Sequence, residues 1–263
     1  MATPSPARMH DFEVVSSEPI AKGIYRLVIK APRLANMLVP GQFVNIAVPG
    51  NPMQPLRCPL SFQYADKEAG TVELWYAVVG DATRRMSEWT VGMKSDLLGP
   101  GGHGWSVPET GSRMLLVAGG IGVPPVLCLA RLLAERGVKF DVAMGSASYN
   151  TLVGVNEFKQ LGAESVHVCT DDGSCGYHGF CTDPAAALLS EHTYAGVATC
   201  GPEIMMKKVA HMAHEAGVPC EVSLERMMSC GFGACNTCNV ETKDGMKGAC
   251  TCGPIFDAEE VVW

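Results

Sequence analysis

The sequence predicts three parts in series: an antiparallel β-barrel, an α/β domain built on a parallel sheet, and a small cysteine-rich C-terminal domain. Three observations carry this. Up to about residue 110, short β-branched and aromatic runs alternate with Pro and Gly punctuation, as in antiparallel barrels. From Gly111 onward, apolar runs, Gly-containing loops and helical stretches alternate, which implies parallel strands with covered faces. Near the end, Cys230, Cys235, Cys238 and Cys250 are separated by four, two and eleven residues, the plant-type spacing of a [2Fe–2S] site. The expected boundaries are 1–110, 111–224 and 225–263.

In the first part, strands are expected over Phe12–Val15, Tyr25–Ile29, Phe43–Val48, Leu60–Tyr64 and Val72–Val78, with a helix over Thr83–Trp89. Three stretches could touch a ligand. Arg57-Cys58-Pro59-Leu60-Ser61 brings a cation, a rigid Pro and a hydroxyl to a strand start. That set could hold a planar ring and its phosphate, although an ordinary strand start looks the same. Gly80-Asp81-Ala82-Thr83-Arg84-Arg85 is a Gly turn feeding a helix, whose free N–H groups and dipole attract anions. Leu98 to Trp105 reads as a tight loop near a ligand, with His103 as a loop residue.

In the second part, the strand Met114–Ala118 runs into Gly119-Gly120-Ile121-Gly122 and a helix over Val126–Glu135. Strand, Gly loop and helix open a nucleotide-binding unit, although the third glycine of G-x-G-x-x-G is missing. Further strands are expected at Phe140–Met144, Ser165–Thr170, Gly196–Thr199 and Cys220–Leu224, and helices at Thr151–Leu161, Asp183–Ser190 and Ile204–Ala216. The loops at 119, 171 and 201 then share the carboxyl edge of the sheet, where such folds bind ligands. Asp171 and Asp172 could accept a ribose hydroxyl and would repel an extra phosphate, which favours NAD over NADP; an Asp-Gly turn is the plainer reading. Cys200, before Gly201-Pro202, could meet a nicotinamide or be a small residue at a strand end.

In the third part, each iron of a diiron core needs two thiolates, so one short loop must aim three sulfurs inward. Gly231 and Gly233 let the backbone turn through positive φ, and Cys250 closes the cage from a second strand. Structural zinc prefers paired C-x2-C knuckles, and only one is present here. A disulfide knot would need an oxidising compartment. Cys252 is read as unligated, and the remaining cysteines as small buried hydrophobes.

With 47% hydrophobic and 18% charged residues and a net charge of −7, the chain is globular and lacks the basic balance of a nucleic-acid binder. No apolar run reaches the roughly 18 residues of a membrane span, and Met1 to His10 holds no apolar leader core. These points lead to the expectation of a cytoplasmic protein.

The stretch Leu224-Glu225-Arg226-Met227-Met228-Ser229-Cys230-Gly231-Phe232-Gly233-Ala234-Cys235, the closing Gly253-Pro254-Ile255-Phe256-Asp257, Thr170 to Ser174 and Cys200-Gly201-Pro202 resemble the electron-transfer subunit of B-type dihydroorotate dehydrogenase, in the ferredoxin-reductase superfamily. The resemblance runs from about Phe12 to Trp263. It implies FAD on the barrel, NAD(H) on the second domain and a [2Fe–2S] cluster on Cys230, Cys235, Cys238 and Cys250. Cys58-Pro59-Leu60-Ser61, Trp75-Tyr76-Ala77 and Ala82-Thr83 fall at flavin-contacting positions. The chain departs from the family at Cys58, where arginine is usual, at Ala77, where arginine or lysine is common, and at Ala82, where Gly is common. Arg57, Arg84 or Arg85 could supply the missing charge.

The resemblance further implies a partner subunit with its own FMN, which oxidises dihydroorotate to orotate and carries the catalytic base. Electrons would pass singly through this chain's cluster, then its flavin, to NAD+, with no acid–base residue here required. Two of each subunit would form a heterotetramer; apolar residues around the cluster loop, such as Phe232, could form the docking face or could equally pack in the core. The alternatives are the small subunit of an NADH-dependent ferredoxin:NADP oxidoreductase or a sulfide dehydrogenase, whose first cluster position tends to be Asp, or a zinc-stabilised binding module.

Overall fold

The computed structural model describes residues 7–53 and 55–263. Residues 1–6 of the stretch weighed as a leader lie outside them. The first sheet is built from β1 (Arg8–Ala21), β2 (Ile24–Lys30), β3 (Phe43–Ile46), β4 (Cys58–Ser61), β5 (Tyr64–Asp66), β6 (Thr71–Ala77) and β7 (Lys94–Gly101), with short helices α1 (Pro32–Ala35) and α2 (Asp81–Ser87). Its order is β4-β3-β7-β1-β2-β6-β5, and every pairing is antiparallel. β4 also lies beside β6, so the sheet curls on itself. Alternation along β2 and β6 sends Leu27, Ile29, Val72, Leu74 and Tyr76 into the interior with Phe12, Val14 and Leu97.

The second sheet comprises β8 (Arg113–Gly119), β9 (Lys139–Ser146), β10 (Ser165–Thr170), β11 (Tyr177–His178), β12 (Gly196–Cys200) and β13 (Cys220–Ser223), covered by α3 (Val123–Glu135), α4 (Val155–Gln160), α5 (Thr182–Glu191) and α6 (Glu203–Glu215). The C-terminal segment adds a small hairpin, β14 (Asn239–Thr242) and β15 (Gly245–Gly248), and then β16 (Ile255–Asp257). The order is β11-β10-β9-β8-β12-β13-β16. All pairings are parallel except β13–β16. The strand order reverses between β8 and β12, the place where open α/β sheets leave a crevice.

Four expectations are corrected. The single run Leu60–Tyr64 divides into β4 and β5, which stand at opposite ends of the first sheet. The run from Leu98 to Trp105 is not a free loop. It begins inside β7, and its turn is pressed on the C-terminal segment: His103 N donates to Gly253 O at 2.6 Å, and a Cβ on Gly102 would lie 2.2 Å from that oxygen. The helix expected over Thr151–Leu161 is only α4, because Gly154 at φ 92 breaks the chain before it. The helix expected over Thr83–Trp89 is α2, which starts at Asp81 and ends at Ser87.

The parts are joined by specific contacts. Trp105 Nε1 donates to Pro125 O at 3.0 Å, Ser106 N and Oγ donate to Glu221 at 2.9 and 2.7 Å, and Arg131 stacks over the Tyr64 ring at 4.4 Å. Leu224 N donates to Pro254 O at 2.8 Å.

Inside the second sheet, Asp141 is fully buried between Arg113 Nε, Ser165 Oγ and Tyr194 Oη. Burial pushes its carboxyl up, but Arg113, Ser165 and Tyr194 together outweigh burial and hold it below the ordinary value. Stability from this group is therefore complete above the ordinary carboxylate range and is lost as pH falls below about 4 toward the lower folded value. Asp141→Asn should cost about 1.5–3 kcal/mol at pH 7, because the charge-assisted bond from the partly exposed Arg113 is lost. In urea unfolding between neutral and acid pH, the variant should lose less stability on acidification than the unsubstituted chain.

Candidate functional site

Four thiols gather at the C-terminal segment. The loop from Cys230 to Cys238 contains no helix or strand. Gly231 and Gly233 have φ of 77 and 89, conformations that L side chains rarely adopt. They are also hemmed in: a Cβ would lie 2.4 Å from Asn45 Nδ2 at Gly231 and 2.7 Å from Thr251 Cγ2 at Gly233. The loop is thus threaded between the barrel and the turn that carries Cys250.

The thiols group two and two. Ala234 N donates to Cys230 Sγ at 3.3 Å, and Cys235 lies within hydrogen-bonding reach of Cys230. Cys250 N donates to Cys238 Sγ at 3.4 Å, and the Cys238 and Cys250 side chains are within hydrogen-bonding reach of each other. Among the described residues, no three His, Cys, Asp or Glu side chains converge as around a single ion. A diiron core asks for two thiolates per iron and a structural zinc for four ligands on one ion; pairing fits the former. Cys235 is exposed, and its pKa is held at about 6, first by the Thr237 hydroxyl and then by backbone groups at Cys230 and Thr237. Cys250 is buried; burial and the neighbouring Cys238 push its thiol up, and a bound metal would favour its thiolate.

The other thiols behave differently. Each of the twelve cysteines is free. Burial pushes Cys58 and Cys169 up to about 11 and Cys181, Cys200 and Cys220 up to about 12, which marks them as inert apolar side chains. Cys252 is exposed, 3.8 Å from Thr251 Oγ1.

A cavity of about 400 Å³ opens between the barrel, the start of α3 and the approach to the thiol loop. Eight of the expected flavin residues line it: Cys58, Pro59, Leu60, Ser61, Trp75, Tyr76, Ala77 and Thr83. Phe43, Ile121, Pro124, Pro125, Ser223, Glu225, Arg226, Met228 and Pro254 are among those facing them, and the sequence did not assign these to a flavin cavity. Apolar walls with a few convergent polar groups suit a flat heteroaromatic ligand. Tyr76 also lines the wall, but its hydroxyl is buried beneath the surface and within hydrogen-bonding reach of Ser17. Thr83 Oγ1 is occupied in the turn before α2, accepting from Val79 N and Gly80 N at 3.0 and 3.1 Å.

Arg57, Gly80 and Ala82 do not line the cavity. Arg57 is paired with Asp96 at 2.6 Å. Arg84 is paired with Asp81 and Glu88, both at 2.8 Å. Arg85 binds Asp81 and the carbonyl of Val48. The one cation among the lining residues is Arg226, whose Nη1 donates to Glu203 at 3.2 Å. The three arginines expected to replace the missing charge are therefore tied elsewhere.

At the carboxyl edge of the second sheet, the glycines pack loop against loop. A Cβ on Gly122 would lie 2.3 Å from Cys200 O, one on Gly119 2.6 Å from Met205 Sδ, and one on Gly201 2.9 Å from Gly119 Cα. Gly120 is open, with φ 54. Asp172 closes its own turn, accepting from Ser174 Oγ and from Ser174 N, and the two bonds, the hydroxyl's first, lower its pKa. Asp171 is exposed beside it. Cys200 is 2% exposed.

A family model described as the iron–sulfur cluster binding domain of dihydroorotate dehydrogenase B matches residues 225–262. The chain is 35% identical over 262 residues to the dihydroorotate dehydrogenase B (NAD(+)) electron transfer subunit of Desulforamulus reducens, covering 98% of this chain and 99% of that one. It is 38% identical to the subunit of the same name from a Geobacillus species, covering 97% and 99%. Among solved structures, one of an NADH-dependent reduced ferredoxin-NADP oxidoreductase superposes with a TM-score of 0.87 at 33% identity, over 96% of this chain and 90% of that one. A cytochrome P450 reductase from Amycolatopsis, at 21% identity and TM-score 0.69 over 80% and 67%, shares the fold. With near-complete coverage by these relatives and the cluster-domain model on its cysteine segment, the chain belongs to the family of electron-transfer subunits of NAD-dependent dihydroorotate dehydrogenase B.

Proposed function

We propose that this chain holds FAD in the cavity between β4, β6 and the 223–228 segment, a [2Fe–2S] cluster on Cys230, Cys235, Cys238 and Cys250, and NAD(H) at the carboxyl edge of the second sheet. The observation that carries this is the position of the cavity: the segment Ser223 to Met228 that forms one wall runs directly into Cys230. A flavin there would lie one short loop from the thiols, with α3 and the NAD edge on its other side.

Bound FAD would exchange electrons in pairs with NAD(H) and singly with the cluster, chemistry that belongs to the cofactors. The protein's part is placement. Pro59 and Leu60 give an apolar wall, and Ser61, Ser223 and Glu225 supply polar contacts. Burial pushes the Glu225 carboxyl up from its ordinary value.

The electrons come from a catalytic subunit with its own FMN that converts dihydroorotate to orotate and provides the base, two copies of each chain assembling in the cytoplasm. No helix among the described residues is long and apolar enough to cross a membrane. Phe232 and Met227 are exposed beside the thiol loop, which suits a docking face. The ferredoxin-NADP oxidoreductase likeness favours a second reading, in which the partner is a different flavin subunit. The test is to mix the FAD-loaded chain with the dihydroorotate-oxidising subunit and follow NADH formation. The expected result is dihydroorotate-dependent NADH production; a complex that forms but transfers nothing would exclude the first reading.

A further inference from the structure

Asn45 is fully buried in β3, yet among the described residues neither Nδ2 nor Oδ1 has a hydrogen-bond partner. Buried amides are nearly always satisfied, so an orphaned one marks a missing partner. In β3, Asn45 stands opposite Pro59 of β4, and it is Pro59, not Asn45, that lines the cavity. Its amide abuts the thiol loop: a Cβ on Gly231 would be 2.4 Å from Nδ2 and 3.4 Å from Cγ. Gly231 follows Cys230, the first thiol of the set. The nitrogen and oxygen of an amide can exchange by a flip, and a metal-loaded loop offers sulfur acceptors at this corner.

We propose that Asn45 is a positioning residue for the iron–sulfur loop: its side-chain N–H donates to a sulfur at the Cys230 corner, seating the loop on the barrel and raising the cluster's reduction potential. A cluster gains negative charge on reduction, so a donor at its sulfur stabilises the reduced form more than the oxidised one. Asn45 would thereby link the strand beside the flavin segment to the first ligand loop. The inference rests on the four-cysteine assignment, which iron and sulfide analysis of the same samples checks separately.

The experiment uses the full chain, anaerobically reconstituted, as the unsubstituted protein, Asn45→Leu and Asn45→Asp. Leucine keeps the volume without a donor; aspartate keeps the shape and replaces donor by acceptor. Both variants should bind iron and sulfide as the unsubstituted protein does. At a fixed ambient potential, their reduced-to-oxidised ratio should be lower by about tenfold, ~59 mV for a one-electron couple, with a shifted paramagnetic spectrum. A fully loaded Asn45→Leu with unchanged potential and spectrum overturns the proposal. Should Asn45→Leu fail to load, Asn45→Asp decides by the same reading; loss of cluster from both, against the loading expected here, overturns the proposal. An unsubstituted protein that takes up no iron overturns both readings; a loaded one with unshifted variants overturns this one alone.

Discussion

Cys238→Ala should leave the chain folded and flavin-loaded but without its cluster. Iron and acid-labile sulfide should drop from about two of each per chain to background. Cys238 is 2% exposed and lies against Cys250, so no water or neighbouring side chain can easily replace its sulfur. Cys252→Ala is the matching control. That thiol is exposed and outside the two pairs, and its loss should leave iron content unchanged. Chemical analysis of both variants reads the result directly. Iron retained in Cys238→Ala, or lost in Cys252→Ala, would mean that the ligand set is wrong.

Gly122→Val should impair the nicotinamide side while sparing the cluster. The added Cβ would lie 2.3 Å from Cys200 O, 2.5 Å from Cys200 C and 2.7 Å from Gly201 N. All three are backbone atoms on the neighbouring loop, so no side-chain rotation relieves the clash. Overpacking of this kind costs about 1–3 kcal/mol or more, and the two loops at the carboxyl edge must part. The expected readout is a KM for NADH raised at least ~10-fold, equivalent to about 1.4 kcal/mol of lost binding, with iron content retained. Gly120→Ala makes a useful contrast. Nothing lies within 4 Å of its Cβ, so it suffers only the strain of φ 54, roughly 1 kcal/mol. If both variants bind NADH normally, this edge is not the dinucleotide site.

What the sequence reveals divides along local and long-range lines. The cysteine spacing is local: four-, two- and eleven-residue gaps constrain one loop and one turn, and the structure sets Cys235 by Cys230 and Cys250 by Cys238. The strand–helix alternation after Gly111 is also local, and it places Gly119, Asp171 and Gly201 on one edge of the second sheet. Partners far apart in sequence are another matter. Arg57 looks like a spare cation until Asp96, 39 residues further on, is seen beside it. Leu98 to Trp105 looks like a ligand loop because its glycines are visible and their neighbour, Gly253, is about 150 residues away. Asn45 shows nothing in a β-strand pattern; only burial and the nearness of Gly231 reveal it. Arg226 and Glu225 stood in plain view within the cysteine motif, but their place on the cavity wall depends on how β13 is followed by the 223–228 segment.

The most direct test of electron relay through this chain is an anaerobic titration of the holoprotein with NADH, following flavin absorbance and low-temperature paramagnetic resonance together. The predicted result is bleaching of the flavin band accompanied by the signal of a reduced two-iron centre, with two irons spread over about four thiolates. Flavin that bleaches while no such signal appears, even after a stronger reductant is added, would contradict the account.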